Sequence, residues 1–328
     1  MNLLFASSDP SGCGFYRSQL PALFLGKYYE VMHFDGTQAE IPLKDDTVTM
    51  LQRAISPLFE KFIDIAKIKG QKVIYDLDDN LWEVGFHNPA KAAYTPEVLR
   101  LLEHILSKVD AVTVSTEPLK RYVSRFHNNI HIIPNFIPFS PPPEKARSWV
   151  RIGWAGSNTH ANDFDVQLFK ALQRLHDEEA IDVVFFGWRP PLLSHTAAYV
   201  PFVPSSEFYA KLQELNFTIG LIPCAPTIFN ASKSNVKYLE YSMLGAVSVA
   251  SDVVTYNTTI KHGINGMLVS KPKHWYPVLK ELCGSPELRK TLADNAHAFV
   301  RDNYTFEHNA DLLLEKYRAL FRSIGAEI

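Results

Sequence analysis

Short apolar runs alternate along this chain with longer amphipathic stretches. In the first part the runs predict strands at residues 2–6, 31–34, 48–52, 73–77, 111–114 and 130–133. Apolar positions recurring three and four residues apart predict helices at 16–25, 57–69, 96–107 and 117–126. Pro134, Pro138, Pro141, Pro142 and Pro143 then fall within ten residues, a density that neither a helix nor a central strand tolerates. Beyond this joint the alternation restarts, with strands expected at 152–154, 183–186, 217–222 and 246–250. Helices are expected at 163–176, 206–215 and 234–244, and a helical tail at 275–321, broken near 284–286 and 303–305. Strand-helix alternation on both sides of a stiff joint predicts two parallel-sheet α/β domains. Open parallel sheets bind ligands beyond the carboxyl ends of their strands, so two of them facing one another make a cleft.

Composition narrows the class. At 328 residues the chain has room for two domains, and 46% hydrophobic with 21% charged residues describes a globular protein, not a disordered one. No apolar run is long enough for a bilayer, so no stable membrane insertion is expected, and the first residues read as a strand and not as a leader. Net charge is −2; residues 1–150 carry 16 basic and 17 acidic side chains and the rest 17 and 18, which excludes bulk polycation binding to nucleic acid. Cys13, Cys224 and Cys283 are odd in number and lack metal-ligand spacing, and read as reduced thiols of a cytoplasmic protein.

The candidate chemistry lies just after strands. The segment Ser8-Asp9-Pro10-Ser11-Gly12-Cys13-Gly14-Phe15-Tyr16-Arg17 follows the first. Gly12 and Gly14 would let backbone approach an anionic ligand, with Arg17 behind them; a plain strand-to-helix turn would use the same glycines. Their spacing is not the dinucleotide fingerprint. Arg53 ends the third strand, where it points into the cleft or to the surface. Asp76, Asp78 and Asp79 follow the fourth, either as an acidic capping turn or as carboxylates facing cations, hydroxyls or water, one of them able to serve as acid or base. The spacing is not that of a calcium loop. Gly156, Ser157, Asn158 and His160 follow the first strand of the second domain and suit a phosphate.

The strongest segment runs from Phe229 to Ser251. Ser234 is expected to cap a helix, with Lys233 at the cap and Lys237 in the first turn, the wrong end of a helix dipole for cations unless an anion sits among them. Lys233, Lys237 and Glu240 stand four and three residues apart, on one helical face. Ammonium groups and helix-start amides suit a diphosphate, and the carboxylate one turn on suits two ribose hydroxyls.

With this segment the chain resembles the GT-B glycosyltransferases of the large retaining group called glycosyltransferase family 4 or group 1. The likeness lies in residues 232–251, the Gly245 turn, His262-Gly263-Ile264-Asn265-Gly266-Met267-Leu268-Val269, and Trp275, Leu288-Arg289, Asn295-Ala296 and Tyr304-Thr305 of the tail. The first half matches more loosely, through residues 12–17, 76–79, Ser115-Thr116-Glu117 and Pro134-Asn135. The resemblance implies two Rossmann-like domains facing a central cleft: an acceptor domain at 1–140, a linker at 141–150, a nucleotide-sugar domain at 151–305, and a final helix at 306–328 packing back on the first domain.

The family's paired glutamates, with seven residues between them, fall on Ser232 and Glu240, so the acid that helps hold the donor sugar is absent here while the one that holds ribose is present. By the same analogy a UDP- or GDP-sugar would lie near Gly12, Gly14, Gly156, Ser157, Asn158, His160, Ser232, Lys233, Ser234, Lys237 and Glu240. Lys233 and Lys237 would stabilise the departing diphosphate, the phosphate itself could take the acceptor's proton, and Asp78 or Asp79 would orient the acceptor beside Arg17 and Arg53. No metal or other cofactor is expected. The acceptor is a polysaccharide or glycoconjugate precursor, with two alternatives: a hydroxymethylated pyrimidine in DNA, as in some bacteriophage relatives, or no acceptor at all in a non-catalytic nucleotide-sugar-binding protein. The DNA alternative would need a local basic groove from Lys61, Lys67, Lys69, Lys72, Lys120, Arg121 and Arg125.

Overall fold

A computed structural model describes residues 2–7, 12–34, 46–142, 149–179 and 181–326. The first sheet has the order β2-β1-β3-β4-β5-β6, from β1 (Asn2–Ser7), β2 (Glu30–Phe34), β3 (Thr47–Gln52), β4 (Lys72–Leu77), β5 (Ala111–Val114) and β6 (Ile130–Ile132). The second has the order β12-β11-β10-β7-β8-β9, from β7 (Val150–Ala155), β8 (Ile181–Gly187), β9 (Ala198–Pro201), β10 (Ile219–Ile222), β11 (Val247–Ser251) and β12 (Met267–Val269). Every pairing is parallel.

Helices cover both faces of such sheets, so central strands bury side chains on both sides. All six residues of β3 are buried, with threonines and Gln52 among the apolar ones. The helices start where the sequence supplies caps. Ser56, Thr95 and Thr116 each accept from an amide three residues on, and a proline follows within the first turn.

Three local differences from the sequence reading have physical causes. The helix expected at 16–25 is split into a helical turn Gly12–Gly14, a wide π-type turn Phe15–Gln19 and a helix Leu20–Leu25, which places Pro21 in a first turn where its missing N–H costs nothing. The helix expected from 163 begins at Val166, because Asp165 caps it by accepting from Gln167 and Leu168. The edge strands β9 and β12 were not expected; β9 is largely exposed and ends in a proline, so it carries no buried-strand pattern.

The chain leaves the first half through residues 133–142, where Ile137 pairs with Thr305. Residues 8–11 of the first turn and 143–148 of the proline-rich joint lie outside the described residues. The final helix, Ala310–Ser323, returns to the first half: the Phe321 and Tyr29 rings lie 5.9 Å apart, and Asn129 donates to Ser323 Oγ at 3.1 Å. Among the described residues no helix is long and apolar enough to cross a membrane.

Candidate functional site

The carboxyl ends of the two sheets face one another, and the sequence candidates gather there in two groups. In the first half, Arg53 follows β3 with a left-handed φ of 49°, a conformation unusual for a residue with a side chain. That turn aims its guanidinium at the loop after β4. Its Nη2 lies 2.8 Å from Asp78 and 2.7 Å from Asp79. Cys13 completes the cluster; its sulfur and one oxygen of each aspartate lie within 4.8 Å of one another. The three side chains could ligate a metal, but the Arg53 cation already bridges both carboxylates.

Arg17 and Asp76 do something else. Arg17 is 5% exposed and Asp76 2%. Arg17 grips both Asp76 oxygens, at 3.0 and 2.6 Å, and its remaining donor nitrogen serves the Ile133 carbonyl and Asn135 Oδ1. Thr113 also donates to Asp76, at 2.6 Å. Arg17, expected beside the acceptor, thus ties the first helical segment to β4 and to the chain after β6. Gly12 and Gly14 lie in an ordinary helical turn, and among the described residues a Cβ at Gly12 would meet nothing within 4 Å.

The second group surrounds the start of the helix Val236–Met243. Asn235, not Ser234, precedes it, and among the described residues no side chain caps its amides. Ser234 instead accepts from Asn135 of the first half at 2.9 Å. The Lys237 ammonium donates to the Ala155 carbonyl at 2.5 Å and lies 5.2 Å from the centre of the Trp154 ring. Burial and the neighbouring Lys233 push its pKa down, against the pull of Glu240. Lys233 stands before the helix, 4.5 Å from the Phe229 ring centre. At Gly156 a Cβ would lie 2.7 Å from the Trp154 ring and 3.0 Å from Lys237 Nζ, so glycine is needed where the loop after β7 passes the lysine.

That loop continues through Ser157, exposed Asn158 and His160. Ser157 and Thr159 share a hydrogen bond of 2.6 Å. His160 Nδ1 lies 2.8 Å from Asp163. Burial, with Lys233 and Lys237 close by, lowers its pKa to about 4, so the imidazole is neutral at pH 7. Asp163 shows the opposite balance: burial pushes it up, but His160, Lys233 and the Ala225 amide hold it below its ordinary value.

Glu240 is 5% exposed and receives a short hydrogen bond from Tyr16 of the first half. Among the described residues no other hydrogen bond reaches its carboxylate, which leaves the second oxygen for a ligand. Burial raises its pKa, offset in part by Lys237 and the Tyr16 proton. The Tyr209 hydroxyl lies 3.1 Å from that of Tyr16.

Ser232, where the resemblance expects an acid, is 2% exposed. It donates to the Ile228 carbonyl at 3.0 Å, and its own carbonyl accepts from Thr116 of the first half at 2.7 Å. Asn80 lies 3.5 Å from its hydroxyl, with Oδ1 buried and unpartnered among the described residues. Sequence reasoning missed Tyr16, Asn80, Asp163 and Tyr209. Only Asp163, three residues after His160, carried a local signal.

Five of the seven basic residues singled out in the first half fall in two separate places. Lys67 and Lys72 lie at the amino edge of the sheet, where they meet the Lys108 carbonyl and Asp110, with Lys69 between them in sequence. Arg121 and Arg125 lie at the opposite edge, near Ile228 and Ser232, where the Arg125 guanidinium covers the Tyr122 ring at 3.6 Å.

No family model and no curated protein matches the chain. Solved structures do. Sucrose-phosphate synthase from Thermosynechococcus elongatus superposes with a TM-score of 0.69 at 14% identity, over 98% of this chain and 99% of that one. HepE of Anabaena, in complex with UDP and glucose, gives 0.67 at 12% over the full length of both. Staphylococcus aureus TarM gives 0.65 at 15%, covering 85% of this chain, which spans only 55% of TarM. With its two parallel six-stranded sheets and these neighbours, the chain has the GT-B fold: two Rossmann-like domains facing a central cleft.

Proposed function

We propose that this protein is a glycosyltransferase that binds a nucleoside-diphosphate sugar at the start of the helix Val236–Met243 and moves the sugar, with retention, to a hydroxyl of an acceptor held by the first domain. The observation that carries this reading is the placement of Lys233, Lys237 and Glu240 around one uncapped helix start in the cleft. Two cations at that end oppose the helix dipole, and a bound diphosphate would reverse the penalty. Similar folds hold such ligands: HepE is seen with UDP-glucose, and the pneumococcal O-GlcNAc transferase GtfA with UDP and GlcNAc.

In this reading the lysines and helix amides neutralise the diphosphate as it leaves, preorganised where negative charge develops. The open oxygen of Glu240 accepts from ribose. Gly156 to His160 line the donor, and Asp78 and Asp79, oriented by Arg53, receive the acceptor hydroxyl. Retention and the phosphate as proton acceptor rest on the family resemblance. Residues 1–140 form the acceptor domain, 151–305 the donor domain, with 141–150 as linker and 306–328 returning to the first. Cys13, Cys224 and Cys283, odd in number and without metal-ligand spacing, fit a reducing, cytoplasmic setting. The separation of the basic residues favours a glycan or glycoconjugate acceptor over DNA.

The test is mass spectrometry of the protein incubated with a panel of UDP- and GDP-sugars without acceptor. Slow release of free nucleoside diphosphate from at least one donor is expected. Tight nucleotide binding with no turnover on any donor, with or without candidate acceptors, would favour a non-catalytic binding protein. No binding at all would remove the reading.

A further inference from the structure

We infer that Asp163 is a positioning residue that fixes His160 in the tautomer protonated on Nδ1, so that the lone pair on Nε2 accepts a hydroxyl of the sugar attached to the diphosphate. The inference rests on the donor site proposed above and adds to it the group that recognises the sugar.

The hydrogen-bonding groups of the pocket are out of balance. Lys233, Lys237 and the helix amides are all hydrogen-bond donors, well matched to a diphosphate but not to the protons of a polyhydroxyl group. Such a group also needs acceptors. The oxygens nearby are engaged, assigned to ribose as the open one of Glu240, or, as Asn80 Oδ1, sealed from solvent. Ser157 and Thr159 pair with one another, Glu240 accepts from Tyr16, and Ser232 is buried against Ile228 and Thr116. Among the described residues, His160 Nε2 makes no hydrogen bond, and the side chain keeps 22% of its surface exposed.

Asp163 determines what that nitrogen is. Its Oδ1 accepts from the Ala225 amide at 3.0 Å and from Asn230 Nδ2 at 2.6 Å. Its Oδ2 faces His160 Nδ1 at 2.8 Å. A carboxylate is acceptor-only, so the proton of the neutral ring belongs on Nδ1 and the lone pair on Nε2. Asparagine at 163 would reverse this. Two fixed donors keep its carbonyl oxygen on the Ala225 and Asn230 side, so its NH2 faces Nδ1. The ring proton then moves to Nε2, which becomes another donor in a donor-rich pocket. The shape is kept and only the hydrogen-bonding sense changes.

The experiment uses the full chain labelled with 15N-histidine. Long-range 15N–1H spectra, with His160 assigned by its loss in His160→Gln, distinguish the protonated from the bare ring nitrogen. The wild type is expected to carry its proton on Nδ1 and Asp163→Asn on Nε2. Binding of UDP, UDP-glucose, GDP and GDP-mannose is then measured by titration calorimetry. In Asp163→Asn the preference for the nucleotide sugar over its bare diphosphate should fall about tenfold, the worth of one hydrogen bond, while diphosphate affinity holds within about twofold. His160→Phe, which has no acceptor, supplies the same comparison should Asp163→Asn not fold. A wild-type ring protonated on Nε2, or an unchanged sugar preference in both variants, overturns the inference. A wild type that binds none of the four ligands overturns the donor site, and with it the role of the lone pair, while the tautomer is still decided by the spectra.

Discussion

Tyr16 of the first domain donates its phenolic proton to Glu240 of the second, 224 residues away, in a contact buried from solvent. The carboxylate read as the ribose-binding group is thus also a point where the two halves hold one another. A hydrogen bond to a charged group contributes about 1.5–3 kcal/mol. Tyr16→Phe is therefore expected to destabilise the chain by that amount. In a double-mutant cycle with Glu240→Gln, measured by urea denaturation, the two changes should be clearly non-additive. Additive losses would show that the contact contributes nothing to stability.

Arg17 and Arg53, both expected at the cleft, differ in burial and in partners. Arg17 is sealed with Asp76, and removing one partner of a buried ion pair costs about 3–5 kcal/mol. Arg17→Ala should lower the denaturation midpoint sharply. Arg53 is slightly more exposed, at 13% of its side chain, and faces the cleft beside Asp78 and Asp79. Arg53→Ala should weaken acceptor use, read as a raised KM for acceptor with donor hydrolysis retained.

Lys237 lies between the Ala155 carbonyl and the Trp154 ring, and methionine can fill the same space without charge. Lys237→Met is expected to lower donor turnover by about 100- to 1000-fold, the usual effect of removing one preorganised group at a developing charge. Donor hydrolysis assayed at saturating donor would show it; an unchanged rate would remove Lys237 from the chemistry.

The pH dependence of stability has a definite sign. His160 in the folded chain has a pKa of about 4 against an ordinary 6.5, set by burial and by Lys233 and Lys237, with Asp163 opposing them. Between these values the unfolded chain binds a proton that the folded one does not, so stability falls as pH drops through this window. A shift of this size corresponds to roughly 3 kcal/mol. Asp163, held below its ordinary 3.8, loses its own contribution only at lower pH. Thermal melts from pH 7.5 to 4 should therefore show the wild type losing stability relative to His160→Gln; parallel curves would contradict the burial of a neutral ring.

The two sheets were legible because their strands are short apolar runs bounded by polar residues, as in Ala111–Val114 between Asp110 and Ser115. The lysines and Glu240 were legible because one helix carries or adjoins all three, so their spacing is local. Tyr16 and Glu240 were not, since nothing local reports how one sheet is set against the other. Ser234 looked like a cap by residue type, but Asn135, brought from the first half, takes its oxygen. Arg17 read as a cleft residue because sequence position gives the end of a strand and not the carboxylate waiting beneath it.

The central claim is that the start of the helix Val236–Met243 grips a nucleoside diphosphate. Calorimetric titration of UDP and GDP into the wild type, Lys233→Met, Lys237→Met and Glu240→Gln tests it most directly. The account predicts that the wild type binds one of the two nucleotides and that each substitution weakens that binding at least about tenfold, the loss of one charge-assisted contact. Wild-type affinity retained in all three variants would contradict it.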